Sequence, residues 1–128
     1  MKTFVSRGNM TKVTTYQAII GSVLINMRHR LQVEQVNIAK SVGVGQSTWS
    51  RIERGESTLS VTQLVKAAKE LRVNPSIILS ESEKVKRELE ADGVQVLNDK
   101  IDKGNTASMV VGAALGALVT AAFMKNRE

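Results

Sequence analysis

The sequence has no cysteine and only one histidine, His29. Without cysteine, the chain can form neither disulfide bonds nor zinc–thiolate sites, and it has no cysteine nucleophile. His29 has no partner at a metal-ligand spacing, so we predict no metal site and expect this residue on the surface of the first helix. No nucleophile–base pair or pair of carboxylates is recognisable either. The sequence therefore predicts neither an enzyme nor a bound cofactor.

Aromatic residues are few, and negative charge is scarce in the first part of the chain. The four aromatic residues argue against stacking platforms for single-stranded nucleic acid. Residues 1–80 carry 11 Lys and Arg against 4 Asp and Glu, a balance of +7, whereas residues 81–128 carry 7 against 8, a balance of −1. This distribution is typical of a domain that meets phosphate, although a merely soluble basic domain would share it. The N-terminus lacks a signal-peptide pattern, so we expect the bulk of the chain in the cytoplasm.

Apolar residues recur at three- and four-residue spacings between residues 16 and 80, which predicts a helical domain there. Thr14 and Gln17 have capping-box spacing and predict a first helix from about residue 15 to residue 30. Further helices are expected at about 34–41, 46–54 and 61–71, and a short fifth helix after Pro75. The fold class is thus all-α.

Local signals mark several helix ends. Gly43 and Gly55 follow the second and third helices, where a left-handed residue commonly ends a helix. Ser60 and Gln63 form a second capping box that opens the fourth helix. The residues predicted to face inward from that helix are Leu64, Val65, Ala68 and Leu71.

The segments on either side of this domain differ from it. Residues 1–15 suggest a basic arm or a short strand. Residues 81–106 are highly charged, with a thin apolar stripe at Val85 and Leu89, and we interpret them as a helical linker that can also pair with a second copy.

Residues 107–124 form an uncharged run that includes Gly112 and Gly116 at a GxxxG spacing. A helix of this length measures about 27 Å, just enough to cross the hydrocarbon core of a bilayer. The run predicts either an anchor on the cytoplasmic face of the inner membrane or a soluble oligomerisation helix. The anchor is preferred, because an uncharged run is costly to leave in water.

The most informative stretch is residues 35–55, which predicts two short helices joined by a tight turn. Ala39 is small where the two helices must approach each other, and Trp49 and Ile52 face inward. The positions left outward on the second of these helices carry short or bidentate hydrogen-bonding side chains, which are the groups that read base edges in a major groove. They are Gln46, Ser47, Ser50 and Arg51.

This stretch resembles the helix-turn-helix regulators of the phage-repressor and Cro type, also called the xenobiotic-response-element family. The resemblance covers about residues 16–79, half of the chain, and implies a five-helix, lambda-repressor-like domain. Its motifs are Gln35, Ala39, Gly43-Val44, the run from Ser47 to Gly55, and Leu64, Ala68 and Leu71.

The resemblance also implies a role for individual residues. Gln35 matches a glutamine that grips a phosphate and braces the recognition helix, and Arg54 matches a backbone-phosphate contact. Arg28 and Glu53 match a structural ion pair between the first helix and the end of the third. The positions that read bases in the family are held here by Gln46, Ser47, Ser50 and Arg51.

Two features depart from the family pattern. Serine or threonine usually caps both DNA-facing helices, but Glu34 and Gly45 stand at those positions. Trp49 occupies a position that usually holds a branched aliphatic residue, so we expect repacking around the third helix.

These observations together predict a sequence-specific transcription regulator. We expect a repressor that binds double-stranded DNA as a homodimer on an inverted repeat. Two alternatives remain open: a membrane-anchored adaptor that uses a helix-turn-helix domain to bind protein, and an antitoxin that represses its own operon. The residues on the outward face of the third helix distinguish a DNA-binding protein from a protein-binding adaptor, and their polar character favours DNA.

Overall fold

The computed structural model describes residues 12–98 and 108–109, and this part of the chain contains five helices and three short strands. The helices are α1 (Tyr16–Arg30), α2 (Gln35–Val42), α3 (Gln46–Glu53), α4 (Val61–Glu70) and α5 (Pro75–Ala91). The strands are β1 (Lys12–Thr15), β2 (Gln95–Leu97) and β3 (Ser108–Met109). The predicted five-helix fold is confirmed, and a small sheet is added to it.

Helix α1 is the centre of the domain, and it packs against both α3 and α5. Its buried apolar residues lie around most of its circumference: Ala18, Ile19, Ile20, Val23, Leu24 and Met27. The helix begins one residue later than the predicted capping box requires. Thr15, not Thr14, is the N-cap, and its hydroxyl accepts a hydrogen bond from the Ala18 amide at 3.1 Å. Thr14 belongs to β1 instead.

Helix α4 opens with the predicted capping box, in which Ser60 and Gln63 exchange side-chain and backbone hydrogen bonds. Ala68 and Leu71 are buried as expected. The prediction that Val65 faces inward is wrong, because this residue is 50% exposed and Ala67 is buried in its place. The buried stripe therefore runs through residues 67, 68 and 71, and it differs from the predicted face in that residue 67 replaces residue 65.

Helix α5 is much longer than the predicted short fifth helix. It continues to Ala91, and Ile78, Val85 and Leu89 enter the same core as α1. Ser82 is buried between them and donates its hydroxyl hydrogen to the Ile78 carbonyl. These four positions recur at spacings of four, three and four residues. They therefore lie on a single face of the helix, although charged residues separate them in the sequence. At least the first part of the segment interpreted as a linker therefore packs onto the domain.

A three-stranded parallel sheet has the order β2-β1-β3, with β1 in the centre. Val13 pairs with Gln95 on one side and with Met109 on the other. Val13, Thr14 and Thr15 are buried, as is usual for the inner strand of a parallel sheet. Of the two structures suggested for residues 1–15, a strand is present at residues 12–15, and residues 1–11 lie outside the described part.

The uncharged run of residues 107–124, referred to below as the tail, is described only at Ser108 and Met109, which lie in β3. The apolar helix predicted over residues 107–124 therefore does not include these two residues. Gly112, Gly116 and the rest of that segment lie outside the described residues. Within residues 12–98 and 108–109, no helix is both long enough and apolar enough to span a bilayer.

Candidate nucleic-acid interface

Helices α2 and α3 are joined by the tight turn that the sequence predicts. Gly43 has a left-handed backbone with φ of 89°, and its amide donates to the Ala39 carbonyl at 2.9 Å. The Val44 amide donates to the same carbonyl at 3.0 Å. Ala39 is 1% exposed, consistent with a close approach of the two helices. The turn fixes the direction of α3 relative to α2.

The first turns of α2 and α3 carry no side-chain cap. Glu34 and Gly45 hold the extended N-cap conformation, but neither helix has a side-chain hydrogen bond to its first-turn amides. This agrees with the expected departure from the family pattern. First-turn N–H groups without an intramolecular acceptor are available to water or to an anion.

The outward face of α3 carries the residues predicted to read bases. Gln46, Ser47 and Arg51 are exposed, and Ser50 is half-buried. Arg54, the C-cap of α3, is also exposed. Their spacing along the helix places all five on one side of it. A row of polar side chains about two turns long therefore faces solvent.

The opposite side of α3 is held by a buried polar network centred on the Glu53 carboxylate. The predicted ion pair is present, since Arg28 donates from Nε to Oε2 at 2.8 Å and from Nη2 to Oε1 at 3.1 Å. Gln35 also donates to Oε1 at 2.7 Å, and the Trp49 indole N–H donates to Oε2 at 2.7 Å. Arg28 further donates to the Val33 carbonyl, which ties the α1–α2 connection to the network. Four donors satisfy a carboxylate whose residue is only 3% exposed.

Gln35 extends this network to the outward face. While its amide nitrogen binds Glu53, its amide oxygen accepts a hydrogen bond from Gln46 Nε2 at 3.3 Å. Gln35 is the first residue of α2, and Gln46 is the first residue of α3. The chain of contacts thus runs from the core to the N-terminal end of the polar row and restricts the orientation of Gln46.

Two glycines let α1 and the end of α3 approach each other. A Cβ at Gly21 would overlap the backbone carbonyl of Glu53, and a Cβ at Gly55 would lie 2.6 Å from the Ala18 Cα. Gly55 also has a φ of 78°, which other residues rarely adopt. Backbone contact with α1 therefore supports α3 along its inner side.

Arg54 is engaged on two sides at the other end of the polar row. Its guanidinium donates to the Glu56 carboxylate from Nε at 3.0 Å and from Nη2 at 3.2 Å. Its Nη1 donates to the Ser50 hydroxyl at 2.6 Å. The hydrogen bonds from Arg54 lower the pKa of the Glu56 carboxyl, and the same contact raises the pKa of Arg54. Two predicted site residues, Ser50 and Arg54, are thus bonded to each other.

The sequence analysis missed two members of this arrangement. Trp49 was expected only to fill the core, but its indole N–H is also a donor to Glu53. The spacing of four residues between Trp49 and Glu53 is a usable signal, because such residues are neighbours on a helix. Glu56 was not singled out at all, although it stands two residues from Arg54 with the opposite charge.

Comparison with known proteins supports the same architecture. Residues 19–76 match the family model described as a helix-turn-helix domain. Two crystal structures of the clp gene regulator ClgR from Corynebacterium glutamicum are similar in fold, each with 22% identity and a TM-score of 0.51. The matches cover 53% and 60% of this chain and 88% and 93% of the ClgR chains.

The restriction-modification controller protein C.AhdI from Aeromonas hydrophila also matches, with 25% identity and a TM-score of 0.46 over 49% of this chain and 94% of that one. No curated protein gives a significant match. The likeness to ClgR is a likeness of fold. The family match identifies the helices that carry the polar row as part of a helix-turn-helix domain.

Proposed function

We propose that the helix-turn-helix domain makes this protein a sequence-specific, DNA-binding transcription regulator. The observation that carries the proposal is the row of exposed polar side chains on α3, backed by the Glu53 network. Base readout needs a rigid helix whose outward side chains reach base edges while its inner side is fixed. We further propose that it acts as a repressor, because a protein lying in the major groove excludes other proteins from the same sequence.

The composition of the α3 face favours DNA over a protein partner. Interfaces with proteins concentrate aromatic and apolar residues at their centre. The row on α3 contains no apolar residue, and it lies in the part of the chain that carries the excess of positive charge. Titrating the full-length protein into a labelled DNA duplex tests this directly, and no binding at low salt would contradict the proposal.

Arg51 is the residue that we expect to contribute most to base discrimination, because an exposed guanidinium can form two hydrogen bonds with a guanine edge. Arg51→Ala should weaken binding to the preferred site by about 1–3 kcal/mol and relax the preference at one base pair. The measurement is a competition titration against single-base variants of the site. Arg87→Ala, which removes an exposed arginine from α5, is the matched control and should change little. An equal loss on every duplex would show that Arg51 contacts only phosphate.

We propose that the protein binds as a homodimer on an inverted repeat. Two recognition helices related by a two-fold axis must lie about 34 Å apart to enter successive major grooves on one face of DNA. Selection of bound duplexes from a random pool by the full-length protein should therefore yield half-sites with centres about 10 base pairs apart. Recovery of a single half-site that binds as tightly as the full site would instead indicate a monomer.

The tail is the segment that we propose to support self-association. Strand β3 contains Ser108 and Met109, so 15 uncharged residues, 110–124, follow it. A helix of that length measures about 22 Å, which is short of the roughly 30 Å hydrocarbon core. Gly112 and Gly116 would allow two such segments to approach closely. In the binding experiment above, replacing both with leucine should weaken binding to the inverted repeat more than binding to a half-site.

A further inference from the structure

The contact between Arg54 and Glu56 lies at the end of the α3 row, in the place where the proposed function requires a phosphate contact. Both side chains are about half exposed, at 53% and 54%. Their geometry is bidentate, with Nε and Nη2 of Arg54 each donating to one carboxylate oxygen of Glu56. Arginine presents the same pair of N–H groups to a phosphate. A phosphate that binds the same pair of N–H groups, Nε and Nη2, must therefore replace the carboxylate or share these donors.

Backbone contacts hold Glu56 beside the row. Its amide donates to the Arg51 carbonyl at 2.8 Å, and the Ser57 amide donates to the same carbonyl at 3.3 Å. Gly55 makes this turn possible through its left-handed backbone. Because the main chain is fixed to the last turn of α3, the carboxylate stays within reach of Arg54. A DNA backbone that approaches this end of α3 therefore meets an arginine that already binds a carboxylate.

We propose that Glu56 is an intramolecular competitor of the DNA backbone, which occupies Arg54 in the free protein and thereby lowers the affinity for every duplex. The inference rests on the proposed DNA-binding function and adds a residue that sets the strength of that binding. Both partners are accessible to solvent, so the pair can open at a small cost when a phosphate arrives. Glu56 therefore tunes the affinity and does not abolish it.

Replacement of the Glu56 carboxylate by a DNA phosphate at Arg54 also affects how strongly DNA binding depends on salt. When a lysine or arginine neutralises a phosphate, the DNA releases a counterion, and the affinity falls as salt increases. If the freed Glu56 carboxylate attracts a cation in turn, part of that release is cancelled. Removing the carboxylate should therefore strengthen binding and make its salt dependence steeper.

The test is Glu56→Gln in the full-length protein, with fluorescence anisotropy on the selected inverted repeat and on a scrambled duplex over a series of salt concentrations. We expect roughly a two- to fivefold higher affinity for both duplexes at moderate salt. The slope of log K against log salt should become more negative by up to about 0.9 for each site occupied. Glu90→Gln removes the same charge from an exposed position at the end of α5 and serves as the control.

A double-mutant cycle with Arg54→Gln separates competition from simple charge repulsion. If Glu56 acts by occupying Arg54, the gain from Glu56→Gln should disappear when Arg54 is already replaced. An equal gain in both backgrounds, an unchanged affinity, or a loss of affinity would each overturn the inference while leaving DNA binding intact. Failure of the wild-type protein to bind any duplex would instead overturn the proposed function itself.

Discussion

Glu53→Gln should lower the free energy of unfolding by about 3–5 kcal/mol, because it leaves the Arg28 guanidinium buried without its counter-charge. The substitution conserves volume, so it removes a charge and a lone-pair acceptor without creating a cavity. An amide cannot accept from all four donors that now converge on the carboxylate, and its own NH₂ group would face other donors. For a domain of this size the loss corresponds to a fall in Tm of at least about 12 °C.

Glu56→Gln is the matched control for this experiment. It is the same substitution at the second glutamate that binds an arginine bidentately, but this pair is exposed where the pair of Glu53 is buried. An exposed ion pair contributes about 0–1 kcal/mol, so Tm should change by only a few degrees. Thermal melts followed by circular dichroism give both values. Equal melting temperatures for the two variants would contradict a stabilising role for the buried network.

A double variant distinguishes a buried unpaired charge from the loss of the network as a whole. In Arg28→Met combined with Glu53→Gln, neither charge remains, so the protein should be more stable than Glu53→Gln alone. DNA affinity should fall in Glu53→Gln and should not recover in the double variant, because in both proteins Gln35 loses the Glu53 carboxylate that orients it toward Gln46. Stability and binding can therefore be separated in one set of proteins.

Where local chemistry determines a helix boundary, the sequence predicted the structure. Gly43 and Gly55 adopt left-handed conformations after α2 and α3, and Ser60 with Gln63 opens α4. The ion pair of Arg28 and Glu53 followed from the family resemblance, since residues 25 positions apart leave no local signal. These features depend on one residue type at one backbone position, or on a pattern already known.

The prediction of local structure failed where two helix-capping signals compete and where strands pair over a long distance in the sequence. Thr14 and Thr15 are both plausible caps, and only the pairing of β1 decides that Thr14 belongs to the strand. That pairing joins Val13 to Gln95 and Met109, more than 80 residues away, and no short-range pattern encodes it. Helix α5 was predicted too short because the charged residues around Val85 and Leu89 suggested a separate linker helix, whereas these two residues continue the buried face that begins at Ile78.

A chain that ends at Ser80 should not fold stably, because α5 continues to Ala91. This truncation removes Val85 and Leu89, each 1% exposed, and Val94, which is 5% exposed. Burying one such side chain contributes about 1.5–3 kcal/mol, so the three together approach the 5–15 kcal/mol that stabilises a typical domain. The truncation also removes β2 and β3, so β1 loses both of its neighbouring strands.

The same cut removes a polar contact between α1 and α5. The Tyr16 hydroxyl donates to the Glu83 carboxylate at 2.7 Å, and burial together with this contact raises the pKa of Tyr16 to about 12. Without Glu83 and the part of α5 beyond Ser80, α1 would lose much of a partner helix, and part of its apolar surface would be exposed to water. The domain that carries the α3 row therefore depends on sequence well beyond residue 80.

Two chains test this dependence, one ending at Ser80 and one ending at Met109, which retains every described residue. The longer chain should give a cooperative melt and a dispersed amide NMR spectrum, whereas the shorter one should show neither. Leu89→Ala in the longer chain provides an intermediate case, with an expected loss of about 2–5 kcal/mol. If the chain ending at Ser80 melted within a few degrees of the longer chain, the buried face of α5 beyond that point would be dispensable. In that case the boundary expected from the charge pattern would be the correct one.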